Sequence, residues 1–363
     1  MTKNILHYFA GGNTAHGFHN LFESNLQGLD RLFILKGGPG TGKSTLMKKV
    51  ATKWSEKGFH IEMVHCSSDP DSLDAVVIKE LKVGIVDGTS PHVVEPKAPG
   101  AIEEYVNLGV AWDSKQLSEQ KELILTLTHQ ISTSFQNAYN TFEKALIVHD
   151  QWEKIYIGNM DFTKANQLTE KLMKKLFDNR KVDRKADIKH RFLGAATPKG
   201  AVDFLPNITE GLTKRYFIKG RAGSGKSTML KKIAAMGEEK GFDLEMYHCG
   251  FDPHSIDMVV VRELGFAIFD STAPHEYFPE KETDEMIDMY AQTIVPGTDE
   301  KYADEIQIVS SKYKSYMKEG TAYLAKAKSV HDELEAIYMK AMDFSIIEQI
   351  RKDIEDKIAE LEH

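Results

Sequence analysis

The apolar positions in the first third of the chain form short runs that alternate with segments of helical spacing. The pattern predicts strands over 32–35, 60–65 and 83–86, and helices over 43–57 and 72–81. Gly58 follows the first of these helices, where glycine commonly ends a helix. Alternating strands and helices are typical of an α/β domain with a parallel sheet, whose ligands lie beyond the C-terminal ends of the strands.

From about Ser114 the pattern changes to a single stripe of apolar and aromatic residues at steps of three or four. The stripe consists of Ile124, Leu127, Ile131, Phe135, Ala138, Phe142, Ala145, His149, Trp152 and Tyr156. It predicts one long amphipathic helix, and a second helical segment follows and ends near Leu176. We expect the stripe to pack against the returning helix as a hairpin; a lid, lever or partner-binding arm is the alternative.

The chain contains an internal repeat with a shift of 183 residues. Gly37 falls on Gly220 and His65 on His248, and the register runs without a gap from His7 to His92 of the first copy. It resumes one residue out of phase in the helical region. The charged segment 178–185 predicts a linker. The first repeat is 1–187, with a core of about 1–113 and a helical hairpin of about 114–180. The second repeat is 188–363, with a core of about 188–297 and a helical hairpin of about 298–360.

Composition narrows the class of protein. The 363 residues are 41% hydrophobic, which is enough for two buried cores, and the formal net charge of −8 argues against a nucleic-acid-binding surface. No apolar run reaches membrane-helix length and the start lacks a secretory signal pattern, so a cytoplasmic protein without membrane contact is expected. Cys66 and Cys249 occupy equivalent points of the two repeats, which favours reduced thiols over a disulfide.

Both repeats carry the pattern G-x-x-x-x-G-K-[ST] between a predicted strand and a predicted helix. The residues are Gly37, Gly38, Pro39, Gly40, Thr41, Gly42, Lys43, Ser44 and Thr45, and Gly220, Arg221, Ala222, Gly223, Ser224, Gly225, Lys226, Ser227 and Thr228. The glycines allow backbone N–H groups to converge on phosphates at a helix N-terminus. Lys43 and Lys226 are expected to contact the β- and γ-phosphates, and the hydroxyls of Ser44 and Ser227 to ligate Mg²⁺.

On these motifs the chain resembles the P-loop NTPase superfamily, and more closely a family of tandem P-loop proteins described as ATPases. The resemblance spans essentially the whole chain. It implies two tandem αβα sandwich domains with parallel sheets, Mg²⁺ and nucleotide binding, and an acidic residue at the end of a neighbouring strand (Walker B). With the helical segments added, each domain is expected to carry a C-terminal helical hairpin.

Asp87 and Asp270 match the expected acid, since each ends a predicted strand of mostly apolar residues. A carboxylate there can hold Mg²⁺ together with the loop serine; an aspartate that only turns the chain is the alternative. The next residue is Gly88 or Ser271, whereas many ATPases have a glutamate that activates water. Because of this departure, efficient hydrolysis is in question, and phosphoryl transfer to a second substrate is an alternative.

A second duplicated pattern, His-Cys-x-x-Asp-Pro, follows the second predicted strand of each repeat. Asp69 and Asp252 in this pattern are candidate catalytic residues that orient a water or accept a proton from an acceptor hydroxyl. Capping of the next helix by Asp69 or Ser72 is the structural alternative. A metal site of His65, Cys66 and His92 is the less favoured interpretation, because the spacing matches no established zinc motif. Packing or hydrogen bonding is favoured for these histidines.

The leading functional hypothesis is Mg²⁺-dependent binding and hydrolysis of ATP by a nucleotide-driven switch. No guanine-specific Asn-Lys-x-Asp pattern occurs, so ATP is favoured over GTP. The alternatives are a kinase that transfers the γ-phosphate to a small molecule or nucleotide, and a regulatory module that binds nucleotide without turnover.

Beyond the nucleotide, the expected partners are a protein or a small-molecule acceptor. An intramolecular pseudo-dimer or a homo-oligomer fits the repeat. Arg221 has Gly38 as its counterpart, so the two sites are expected to differ.

Overall fold

A computed structural model describes residues 4–362 of the chain. In the first repeat, strands β1 to β8 are Ile5–Phe9, Gly11–Thr14, Gly17–Asn20, Arg31–Lys36, Ile61–Cys66, Asp69–Ile78, Val83–Asp87 and Glu103–Asn107. Its helices α1 to α5 are Phe22–Leu26, Lys43–Glu56, Ser114–Glu119, Lys121–Ile157 and Phe162–Phe177, and a 3-10 helix spans Leu108–Ala111.

The second repeat has the same order of strands and one more α-helix. Strands β9 to β16 are Ile188–Phe192, Gly194–Thr197, Gly200–Asp203, Lys214–Lys219, Leu244–His248, Ile256–Val261, Phe266–Asp270 and Glu285–Asp288. Helices α6 to α11 are Leu205–Ile208, Lys226–Glu239, Met289–Thr293, Thr298–Lys301, Ala303–Lys340 and Phe344–Ala359, with a 3-10 helix at Arg262–Leu264. The predicted strands at 32–35, 60–65 and 83–86 and the predicted helix at 43–57 are confirmed.

One mixed sheet of 12 strands runs through both repeats, in the order β16-β12-β15-β14-β13-β9-β1-β5-β6-β7-β4-β8. Strand β6 runs antiparallel to β5 and β7, and β14 runs antiparallel to β13 and β15. The prediction of parallel sheets in separate domains is therefore wrong on two counts: the sheet is mixed, and it is shared by the two repeats.

The strand β6 replaces the helix that the sequence predicted over 72–81. Its residues from Leu73 to Ile78 are all buried, because neighbouring strands flank it and both faces of the sheet are covered. The uninterrupted apolar run from Ala75 to Ile78 fits a doubly buried strand as well as a buried helix, and the β-branched Val76, Val77 and Ile78 favour the strand. The periodicity alone did not separate these two structures.

The two halves of the sheet meet at the C-terminal ends of β1 and β9. These strands are antiparallel and pair at a single position, Phe9 opposite Phe192, which are the last residues of the two strands. Beyond this junction, Ala15 N–H donates to the carbonyl of Phe251 at 2.9 Å. The C-terminal edges of the two half-sheets therefore face each other across the middle of the molecule.

A buried charge cluster joins the repeats beside this junction. The Arg191 side chain is 1% exposed; its guanidinium donates to both carboxylate oxygens of Glu62 at 2.9 Å and lies 3.2 Å from Glu245. Burial would raise the pKa of Glu62, but the charges of Arg191 and Lys79 lower it to about 2. Paired in this way, the buried carboxylate stays ionised inside the sheet region.

The helices following each core are exchanged between the repeats. The long helix α4 packs along α10, and α5 lies on α7 and α8 of the second repeat. In the reverse direction α11 lies on α2 of the first repeat, where Ile347, Ile354 and Ile358 join its hydrophobic core. The predicted long helix is nearly correct, with a break at Gln120 between α3 and α4. The hairpins expected on their own cores are wrong: α5 and α11 each complete the core of the other repeat.

Within the described residues, every helix is too short or too polar to cross a lipid bilayer.

Candidate functional site

The two glycine-rich loops lie between a strand and a helix, as the motif predicts. The first connects β4 to α2 and the second connects β12 to α7. Gly42 and Gly225 have φ of 86° and 85°, a left-handed conformation that favours glycine, and each is the residue directly before its helix. Thr41 donates its hydroxyl to the carbonyl of Gly38 at 2.9 Å, which fixes the shape of the first loop.

Each loop lysine lies beside the aspartate that ends the neighbouring strand. The Nζ of Lys43 is 3.5 Å from Oδ2 of Asp87, and the Nζ of Lys226 is 3.4 Å from Oδ2 of Asp270. Both amines also donate to carbonyl oxygens of their own loop at 2.8–2.9 Å. The structure thus brings the predicted lysine and the predicted acid together in both repeats, with closely matching distances.

The loop serines contact the antiparallel strand that the sequence missed. The hydroxyl oxygen of Ser44 accepts the backbone N–H of Leu73 in β6 at 3.0 Å, and Ser227 accepts that of Ile256 in β14 at 2.9 Å. Strand β6 therefore starts directly beside the first loop. Its early residues, including Asp69, lie at the same edge of the sheet as the loop.

The four residues predicted to bind Mg²⁺ provide oxygen donors of the type this ion prefers. Asp87 uses Oδ1 to accept the N–H and the hydroxyl of Thr89, at 2.9 and 2.6 Å, and Asp270 makes the same pair of bonds with Thr272. This leaves Oδ2 of each aspartate on the side of the lysine. A carboxylate and a hydroxyl on neighbouring elements fit a hard divalent cation, which commonly binds few protein oxygens plus phosphate and water.

Asp69 and Asp252 are held by local hydrogen bonds and by groups of the opposite repeat. Asp69 accepts the hydroxyl of Ser72 at 2.9 Å, and its Oδ2 is 3.6 Å from Nζ of Lys328 in α10. Asp252 accepts the N–H of His254 at 3.0 Å and lies 3.6 Å from Nε2 of His16. The helix-cap alternative is wrong in both repeats, because a strand follows each segment.

His65 forms hydrogen bonds rather than a metal site. Its Nδ1 is 2.8 Å from the carbonyl oxygen of Pro70 and its Nε2 is 2.8 Å from Nδ1 of His7. Burial lowers the pKa of His65 to about 4, so the ring is neutral near pH 7. Among the described residues, three groups have metal-ligand spacing: His16, Asp252 and His254; His149, Asp150 and Glu153; and His331, Asp332 and Glu335. The candidate trio of His65, Cys66 and His92 is not among them.

His92 belongs to a charged pair. Its Nε2 lies 3.3 Å from Oδ1 of Asp74, and both side chains are buried. Burial would lower the pKa of His92, but the carboxylates of Asp74 and Asp87 raise it to about 9. In the second repeat His275 pairs instead with Asp203, at 2.7 Å, and its pKa is also raised against the effect of burial. His92 therefore carries a positive charge near Asp87, and the carboxylates around His275 favour its charged form.

The two loops differ at the position that the sequence singled out. Arg221 pairs with Asp299 at 2.8 Å, and Asp299 also accepts the hydroxyl of Tyr156 at 2.9 Å. At the equivalent point of the first loop, a β-carbon on Gly38 would lie 2.9 Å from the ring of Tyr338. Asp299 thus links Arg221 of the loop to the tyrosine of the long helix in the second site, while in the first site the ring of Tyr338 lies directly against the loop.

Sequence reasoning missed the approach of the long helices to the loops of the opposite repeat. A β-carbon on Gly40 would lie 2.8 Å from the carbonyl oxygen of Glu335 in α10, and one on Gly223 would lie 2.6 Å from that of Glu153 in α4. The signal was present in the two equivalent stripes, which keep His149 and His331 in register at the helix ends. The stripes do not indicate which loop these ends reach.

Comparison of the chain with protein-family models, with curated proteins and with solved structures gave no match. The case for a function therefore depends on the motifs and on the geometry around them.

Proposed function

We propose that the chain binds Mg²⁺ and ATP in both glycine-rich loops and hydrolyses the nucleotide as a two-site switch, in tandem P-loop domains that share one sheet. The observation that carries the proposal is the duplicated triplet of lysine, strand-ending aspartate and loop serine. Lys43 lies 3.5 Å from Asp87 and Lys226 lies 3.4 Å from Asp270, each beside the serine hydroxyl that opens the next helix. Such a loop presents cationic and N–H donors to phosphates.

The chemistry assigned to each group follows from its type. Lys43 and Lys226 neutralise the β- and γ-phosphate oxygens, and the backbone N–H groups of the loops hold the same oxygens. Ser44 and Asp87, with Ser227 and Asp270 in the second repeat, hold Mg²⁺, which supplies charge neutralisation at the phosphates when bound. Because one sheet runs through both repeats, a change of conformation at one loop can be passed to the other repeat.

The test measures bound nucleotide and released phosphate separately for the wild type, Lys43→Ala, Lys226→Ala and the double variant. Loss of a charge-assisted contact of about 2 kcal/mol predicts at least about tenfold weaker Mg-ATP binding at the altered site. Lys144→Ala, at an exposed position of α4, is the charge-matched control and should bind as the wild type does. Unchanged nucleotide binding by the double variant would overturn the proposal.

The same samples separate the alternatives. Phosphate release by the wild type without any added acceptor supports hydrolysis. ADP formation that appears only with an acceptor metabolite indicates a kinase, and binding without turnover indicates a regulatory module. Removal of the divalent cation with a chelator should abolish turnover and be reversed by added Mg²⁺.

A further inference from the structure

The end of each long helix closes over the loop of the other repeat. In the first site, Glu335 of α10 places its carbonyl oxygen against Gly40 and Tyr338 places its ring against Gly38. In the second site, the backbone of Glu153 in α4 lies against Gly223, with both its Cα and its carbonyl oxygen within 3.0 Å of a β-carbon built there. Each loop is therefore bordered by a helix that belongs to the other half of the chain.

The same two side chains recur at both helix ends. Nδ1 of His149 lies 3.9 Å from Oε1 of Glu153, and Nδ1 of His331 lies 3.9 Å from Oε1 of Glu335. All four side chains are partly exposed, between 27% and 39%, so they reach solvent at the border of each loop. This His-x-x-x-Glu arrangement occupies one helical turn, so that both side chains lie on one face.

These helix turns face charged groups of the opposite repeat. Lys328, one turn before His331, lies 3.6 Å from Asp69 of the first repeat and also pairs with Asp332. In the second site, burial lowers the pKa of His149, and the charges that act on it include Glu153 on its own helix and Lys226 and Asp252 of the second repeat. In the second site, the loop lysine and the aspartate of the second motif are thus near enough to the helix turn to act on His149 electrostatically.

The site needs a carboxylate that the Walker B strand does not provide. Gly88 and Ser271 follow the strand-ending aspartates. A larger side chain does not fit at Gly88, because a β-carbon there would lie 2.4 Å from Ile34. Asp69 and Asp252 are engaged by the neighbours described above. Glu335 and Glu153 belong to the helix turns that border the loops, and the carboxylate of each lies 3.9 Å from the histidine one turn before it.

We infer that each nucleotide site is composite, with the loop of one repeat and a catalytic glutamate from the long helix of the other: Glu335 for the first loop and Glu153 for the second. This inference rests on the proposed function. The glutamate carboxylate accepts a proton from the attacking water as the water oxygen bonds to the γ-phosphorus. The bond from that phosphorus to the bridging oxygen breaks, and its electron pair leaves on ADP. The carboxylate then releases its proton to phosphate or solvent.

A crossed set of variants tests this assignment. In the Lys43→Ala chain only the second loop works, and Glu153→Gln should lower its phosphate release by about 100-fold, whereas Glu335→Gln should leave it within about twofold. In the Lys226→Ala chain the pattern should reverse. Glutamine keeps the shape of the side chain and removes the proton acceptor, so the loop with its lysine intact should still bind Mg-ATP in all four chains.

Glu143→Gln and Glu319→Gln, at exposed positions of the same two helices, are the matched controls and should leave both rates unchanged. Thermal unfolding of each variant checks that the fold is intact. If Glu335→Gln disables the second loop and Glu153→Gln the first, each repeat serves its own site and the inference fails. Equal rates in all variants, or a wild type that binds Mg-ATP without releasing phosphate, also overturn it while the binding proposal stands. A wild type that does not bind nucleotide overturns the proposed function and this inference together.

Discussion

At the scale of the residue, the molecule holds two pairs of histidines in their neutral form. His65 bonds to His7 at 2.8 Å, and its counterpart His248 bonds to His190 at 2.9 Å. In each pair, the ring with the lower pKa also contacts a backbone carbonyl oxygen, which for His65 is that of Pro70. Burial lowers the pKa of His65 and of His248 to about 4, since each charged ring would be desolvated beside another imidazole.

Acid should therefore destabilise the fold through His65 and His248. The unfolded pKa of histidine is about 6.5, and the folded values near 4 lie below it, so the contribution of these two residues to stability is full above pH 6.5 and is lost as the pH falls towards 4. We expect the urea midpoint to decrease over this range and the double variant His65→Gln/His248→Gln to decrease less. A variant with the same pH slope as the wild type would contradict this assignment.

The candidate site was predictable from sequence only for residues that lie in a local sequence motif. Lys43 and Asp87 meet because the motif and the strand order bring them together, and the sequence identified both. Glu335 escaped detection because nothing in its local pattern distinguishes a residue that packs beside its own core from one that crosses to a loop almost 300 positions away.

At the scale of the element, the two long helices pack through small residues set against large ones. Gly320 of α10 lies against Phe142 of α4, where a β-carbon would be 2.3 Å from the ring. The equivalent positions in the repeat are Ala138 and Leu324, which lie in the same buried cluster. A larger side chain at one position is thus matched by a smaller one at the other.

Adding a methyl group at this crossing should push the helices apart. We expect Gly320→Ala to destabilise the fold by about 1–2 kcal/mol, because the overpacking cost exceeds the gain in helix propensity. Phe142→Leu added to it recreates the alanine and leucine pair of the other position, so the double variant should lose less stability than the two single variants combined. Denaturant unfolding of the four chains measures this coupling; strict additivity would argue against a close contact.

The type of element could be predicted from sequence where amphipathic spacing is sustained. The prediction failed where all residues of the element are buried. The stripe of α4 continues over many turns, so the helix is recognisable without its partner. In β6 every residue from Leu73 to Ile78 is buried, and the sequence therefore shows neither the period of a helix nor that of a half-exposed strand.

At the scale of the whole molecule, the exchange of helices makes each half incomplete. Leu172, Leu176 and Phe177 of α5 are buried in the core of the second repeat, and Ile354 and Ile358 of α11 in that of the first. Neither half buries its own apolar face when the other is absent. The internal repeat could be identified from sequence. The reciprocal packing could not, because it depends on tertiary contacts that the duplicated pattern does not specify.

A chain ending at residue 187 should therefore not form a stable monomer. We expect it to be recovered as a dimer, in which two copies exchange α5, or as aggregate with exposed apolar surface. Light scattering after size-exclusion chromatography distinguishes these states, with the full chain as the control. A monodisperse monomer that unfolds cooperatively would contradict the requirement for exchange.

The position of α11 in the sequence also determines when the first repeat can complete its folding during synthesis. The helix that covers its core begins at Phe344, whereas the core itself is already complete in sequence by Ala111. At roughly 5–20 residues per second, translation of the intervening chain takes on the order of 10 to 50 s. Throughout that interval the emerging first half keeps an apolar face open, and a ribosome-associated chaperone has both the time and the surface to engage it.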